Sequence, residues 1–218
     1  MRRTSSAMAL ALAIAGLTGP GAKAQTPTAI GHADELAIKH IPAKATLTVS
    51  SPAFKDGGDI PYENTQYRGN RFPGLQWSQG PRGTQSYVVI MQGALGGGDD
   101  MSHGTSIHFI LINVPARTTR LDAGLTTPPA GAMYGLNVHG PNQPYAGPHT
   151  HNFVEHNYHL QVFALDTVLP GDPMMSFPAL EGFMAGHVLA SGQTAGQAAM
   201  DPDSPEAKQI GKGRPAQD

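Results

Sequence analysis

The chain has 218 residues, with 14 Lys and Arg against 16 Asp and Glu, ten His and no Cys. A formal charge of −2 argues against nucleic acid or an anionic membrane surface as partner, because both select basic patches. Without Cys there is neither a disulfide framework nor a thiol nucleophile, so stability must come from a core, which a chain of this length can bury in one domain.

The first 24 residues, MRRTSSAMALALAIAGLTGPGAKA, read as a secretory signal: Arg2 and Arg3 give a positive start, 7–17 an apolar run too short to span a bilayer, and Ala22-Lys23-Ala24 a small-residue cleavage site. The sequence thus predicts export to the periplasm or medium and a mature chain starting at Gln25. Its charge is −5, because the signal carries three of the 14 basic residues and none of the 16 acids. No second apolar run reaches membrane-spanning length, so an integral membrane protein is not expected. Residues 25–44 read as a tether or edge, 45–200 as the domain, and 201–218 as a polar, disordered tail.

Within the domain, 45–51 alternates like a half-buried strand, while SYVVIM (86–91) and IHFILINV (107–114) are nearly continuous apolar runs that imply strands covered on both faces. YHLQVFALD (158–166) is a further strand. Ser176 is placed to cap a helix with Pro178 in its first turn, Leu180, Phe183 and Met184 on its apolar stripe and Gly186 at its stop; 186–192 then reads as a short terminal strand. Abundant Gly and Pro between these elements suit a mainly β domain.

Four histidines crowd GPHTHNFVEHNYHLQVFALD, residues 147–166. Strand alternation puts His156, Tyr158, Leu160 and Val162 on one face and Asn157, His159, Gln161 and Phe163 on the other; the same rule puts His108 with Ile110 and Ile112. A zinc-peptidase helix is excluded, because His151 and His156 lie five apart around Glu155 where that motif needs four. Neither a GxSxG elbow nor a GxxxxGK[ST] loop occurs. His149 and His151 can face one way in an extended loop and, with His139 or with Asp99, Asp100 and His103, could ligate Zn²⁺ or Cu²⁺. Exposed polar loop residues are the plainer reading of the same histidines. Gly147-Pro148 makes the loop rigid and open to close backbone approach.

The order of FPGLQWSQGPRGTQSYVVIMQ (72–92), IHFILINVPARTTRLDAG (107–124), NQPYAGPHTHNFVEHNYHLQVFALD (142–166) and GHVLASGQTAG (186–196) resembles the phosphatidylethanolamine-binding protein family, in its bacterial Raf-kinase-inhibitor-like branch. The resemblance implies a β-sandwich-like fold, with a large central antiparallel sheet, a smaller sheet and few short helices, and a small pocket for phosphate or a phosphorylated head group. Carried over by residue, the family's pocket falls on His108, here followed by Phe109 in place of Trp, on Tyr145, Gly147 and Pro148, and on His156 and Tyr158. The family's acidic DPDAP motif is missing: Gly93, Ala94, Leu95 and Gly96 stand there, leaving Asp99 or Asp100 as substitute acids. His149-Thr150-His151 replaces a proline pair and implies a different rim; beside the implied pocket, His149, His151 and His159 would be bystander or rim residues.

The resemblance therefore implies an exported binding or regulatory protein for a small anion or head group, without catalysis and without a cofactor. Relatives in the bacterial branch are often dimeric, which leaves a homodimer open. The alternative is a periplasmic metal-binding protein built on the loop histidines. A histidine-based hydrolase ranks below both, because no activated nucleophile is visible.

Overall fold

The computed structural model describes residues 31–210; the expected signal and its cleavage site lie outside them. In chain order the described elements are β1 (His32–Ala33), α1 (Ala37–His40), β2 (Ala45–Thr46), β3 (Val49–Ser50), β4 (Gly58–Asp59), a 3-10 turn at Tyr62–Asn64, β5 (Leu75–Trp77), β6 (Ser86–Ala94), β7 (Thr105–Pro115), β8 (Arg120–Leu121), β9 (Met133–Tyr134), β10 (His156–Leu165), α2 (Phe177–Met184), β11 (Val188–Ala198) and α3 (Ala207–Ile210). An eight-stranded sheet runs β1-β7-β6-β10-β11-β2, with β4 beside β11 and β9 beside β7; β3, β5 and β8 form a second sheet. The pairings of the large sheet are antiparallel except for β2 and β4, which lie parallel to β11.

The apolar runs of β6, β7 and β10 are continuous because both faces of the large sheet are covered. On one face Tyr87, Val89, Met91, Phe109, Leu111, Leu160 and Val162 pack with Leu75, Trp77 and Leu121 of the small sheet. On the other, Val88, Ile90, Ile107, Ile110, Ile112 and Phe163 pack against Ala37 of α1 and Phe177, Leu180 and Met184 of α2. Ser176 caps α2 by accepting from the Ala179 N–H at 3.3 Å, and Gly186 follows at φ +81°. The buried stripe is Phe177, Leu180 and Met184, whereas Phe183, expected within it, is exposed.

Two elements differ from the sequence expectation for reasons of packing. The stretch 45–51 divides between sheets: β2 joins β11, and β3 turns away to pair with β5. The terminal strand is longer than 186–192, because β10 templates β11 along its length, from Leu165↔Val188 to His156↔Ala198. Its small residues are required for contact: a Cβ at Gly192 would collide with the Leu47 carbonyl, and one at Gly196 with Ile60 and Phe54.

The described ends are tied to the core. Gln92 and Gln161 are fully buried. Gln92 Oε1 accepts from Ala37 N–H and from Gln161 Nε2, each at 2.9 Å, its Nε2 donates to Glu35 O and Thr105 Oγ1, and Gln161 Oε1 accepts from Ile38 N–H at 2.8 Å. The expected polar tail is likewise anchored at its start: Asp201 is buried and accepts from Arg68 Nε at 2.5 Å and Nη2 at 2.9 Å, because a buried carboxylate needs such a partner.

Gln92→Leu strips partners from two buried donors at once and should cost roughly 2–4 kcal/mol, since each orphaned polar group costs about 1–3 kcal/mol. Urea unfolding monitored by Trp77 fluorescence measures it; a change under about 0.5 kcal/mol, the range of an ordinary surface substitution, would show that the network does not hold the N-terminal segment.

Candidate functional site

The site begins with an irregularity of pairing. Along β6 and β7, Met91 sits opposite Phe109 but Gln92 sits opposite Ile107, so His108 is an extra residue bulged out of the ladder. Alternation therefore resets, and His108 does not share the face of Ile110 and Ile112 as strict period two requires. Those isoleucines pack on the helix side, whereas the His108 ring stands edge-on to Tyr158 with centroids 5.1 Å apart, on the side of the small sheet.

The bulge also frees the backbone of His108 to hold a loop. The His108 carbonyl accepts from Ala146 N–H at 2.9 Å, and the Ala146 carbonyl faces His108 Nδ1 at 2.9 Å. A carbonyl can only accept, so Nδ1 carries the proton and, in the neutral ring, Nε2 accepts from the Ser106 hydroxyl at 2.7 Å. His156, the first residue of β10, is fixed in the same tautomer: its Nδ1 donates to the Ala94 carbonyl at 3.0 Å. Its Nε2 is buried and meets no hydrogen-bond partner among the described residues.

The loop residues serve this geometry in different ways. The Tyr145 hydroxyl donates to the Asn64 carbonyl at 2.7 Å, and its ring packs edge-on against Phe72. Burial first, and the nearby Tyr158 second, push that hydroxyl well above the ordinary phenol range. Gly147 is needed because a Cβ there would strike the Asn64 carbonyl, and its N–H is taken by Asn70 Oδ1 at 2.6 Å. Pro148 offers its carbonyl to Gln66 N–H at 3.1 Å. These three residues thus position the loop through bonds to 64–70, a role that the sequence reading had not separated from ligand contact.

Gly93 lies directly opposite Tyr158. A Cβ at Gly93 would fall 2.6 Å from the Tyr158 ring and 3.1 Å from His108 Nε2, so the ring occupies the space an acid at this position would need. Burial, with Tyr67 as a lesser cause, raises the Tyr158 hydroxyl above its ordinary range and keeps it neutral. The two substitute acids turn elsewhere. Asp99 lies 2.9 Å from His159 Nε2, on the helix-side face of β10; burial would raise its carboxyl, but hydrogen bonds from Asn157 and His159 and the charges of His159 and Lys39 leave it lowered. Asp100 accepts from Ser102 N–H at 2.9 Å, and its bonds to Ser102 hold it low.

Of the loop histidines, His149 and His151 come together with ring centroids 4.9 Å apart. Their third neighbour is Glu206, which the sequence reading missed; no local pattern could connect it, because it lies 57 residues beyond His149. His103 instead faces Ser102 Oγ at 3.1 Å, and His139 sits in a turn whose N–H bonds Asn137 Oδ1 at 2.8 Å.

Residues 50–199 match the family model described as phosphatidylethanolamine-binding protein. The chain is 31% identical over 158 residues to a UPF0098 protein of Aquifex aeolicus, covering 70% of this chain and 88% of that one. It is 30% identical over 166 residues to a Mycobacterium tuberculosis protein named as a lipoprotein, LppC, covering 72% and 78%. Its fold matches the crystal structure of the Chlamydia trachomatis homologue CT736 with a TM-score of 0.63 and 26% identity, over 72% of this chain and 99% of that one. With the large sheet, the small sheet and the motif order in agreement, the chain belongs to the phosphatidylethanolamine-binding protein family.

Proposed function

We propose that this protein is an exported, non-catalytic binding protein that takes a small anion, such as a phosphorylated head group, at the His156 edge of the His108–Tyr158–His156 face. The observation that carries the reading is the buried, unpartnered Nε2 of His156. A buried polar atom without a partner costs free energy, and a ligand atom that meets it recovers that cost. Because Ala94 holds the proton on Nδ1, a neutral His156 presents only a lone pair, and a phosphate or sulfate oxygen is accepted when Nε2 is protonated as well. The matching family model is described as phosphatidylethanolamine-binding protein, and the name of the Chlamydia homologue points to the same head-group chemistry. Export is supported by the basic, then apolar, N-terminal sequence and by the lipoprotein name of the mycobacterial relative. No helix among the described residues is long and apolar enough to cross a membrane.

In this reading Gly93 leaves the space beside His108 to the Tyr158 ring, and protonation of an imidazole replaces a fixed charge network. Three measurements check it. First, Gly93→Asp should cost about 1–3 kcal/mol by overpacking against Tyr158, and most of that cost should vanish in a Tyr158→Ala background; strictly additive costs in urea unfolding would mean that the two positions do not share a space. Second, calorimetry with sulfate, whose charge is constant over the range, should give affinity about tenfold or more higher at pH 5.5 than at pH 8, the interval in which imidazoles as a class take up a proton. The sign follows from linkage, because an anion that prefers the imidazolium form binds tighter as protons become available. His156→Ala should abolish the difference; equal affinity at both pH values in the unaltered protein would sink the reading. Third, intact mass of the exported protein should begin at Gln25.

A further inference from the structure

Independently of the anion site, the geometry points to a divalent transition-metal site formed by His149, His151 and Glu206. One ligand atom from each of the three lies within 4.8 Å of the others, the one such group of three or more metal-ligating residues among the described residues. His149 Nε2 lies 3.2 and 3.1 Å from the two Glu206 oxygens, so an ion entering there replaces one hydrogen bond and draws in the second imidazole. Two atoms ligating one ion at about 2.1 Å can be at most about 4.2 Å apart. The observed spread therefore closes with small side-chain rotations, which exposed His151 and Glu206 are free to make.

The backbone that carries the three is fixed on both sides. Tyr67 donates its hydroxyl to the Thr150 carbonyl between the two histidines, and its ring lies 5.0 Å from that of His149. Asn152 O accepts from Met200 N–H at 3.1 Å, which ties the loop to the C-terminal segment. That segment is held in turn by the Arg68–Asp201 pair and by Ser204, whose hydroxyl caps the turn at Ala207 N–H at 3.1 Å and so sets the position of Glu206. Two imidazoles and one carboxylate, with solvent supplying the remaining positions, suit Zn²⁺, Ni²⁺ or Cu²⁺ and not Mg²⁺ or Ca²⁺, which demand oxygen ligands. The site differs from the sequence-based grouping of the same histidines with His139, His103, Asp99 or Asp100, whose bonds lie elsewhere.

The test is calorimetric titration of chelator-stripped protein with ZnCl₂ at pH 7.5. One ion per chain should bind, and the double variant His149→Ala/His151→Ala should weaken it by at least about 100-fold, because loss of even a group behind a metal ligand costs roughly 10–100-fold. Glu206→Gln should weaken it clearly, and His103→Ala and His139→Ala should leave it unchanged. All these positions are on loops or turns and none is fully buried, and far-UV circular dichroism checks that each variant folds. Cu²⁺-loaded protein should show two equatorial nitrogens in its electron paramagnetic resonance spectrum. Absence of Zn²⁺ binding, unchanged affinity in the double variant or in Glu206→Gln, or loss through His103 or His139 instead overturns the assignment.

Discussion

The site depends on one extra residue in a β-ladder. If β7 paired with β6 without interruption, His108 would face the helices with Ile110, and Ala146 would lose both of its clasps to that residue. Because the pairing skips from Ile107 to Phe109, two successive side chains, His108 and Phe109, turn toward the small sheet. A bulge re-aims a side chain by a local break in the ladder. Here it places an imidazole against Tyr158 while Gln92, directly opposite Ile107, still faces the N-terminal segment and holds Ala37 in place.

From that point the chemistry is constrained by tautomers. Both site histidines donate Nδ1–H to a backbone carbonyl, Ala146 for His108 and Ala94 for His156, so their Nε2 atoms are where they differ. Ser106 engages the one, while the other meets no partner among the described residues. His108 is in this sense a structural histidine that organises the loop, and His156 is the group that the proposed anion would meet. Gly93 belongs to the same arrangement: with the Tyr158 ring and His108 Nε2 against it, a Cβ there has no room.

Much of this was legible in the sequence, for identifiable reasons. Alternation along β10 placed His156, Tyr158, Leu160 and Val162 on one face because that strand pairs with β11 in unbroken register from His156 to Ala164. The cap at Ser176 was legible because capping is local. The face of His108 was not, since a bulge leaves no mark in residue type when both neighbours are apolar. The length of β11 was hidden because QTAGQA is strand only by virtue of the full-length β10 beside it. Glu206 was hidden by sequence distance and by a polar neighbourhood that reads as tail, although Asp201, buried against Arg68, anchors it.

The central claim is that an anion is met by His156 Nε2. Imidazole ¹⁵N NMR at pH 5.5 with increasing sulfate tests it at the atom concerned. The account predicts that the Nε2 resonance of His156 shifts saturably while those of His149 and His151 do not move. Saturable shifts at His149 and His151 with His156 unaffected would contradict it.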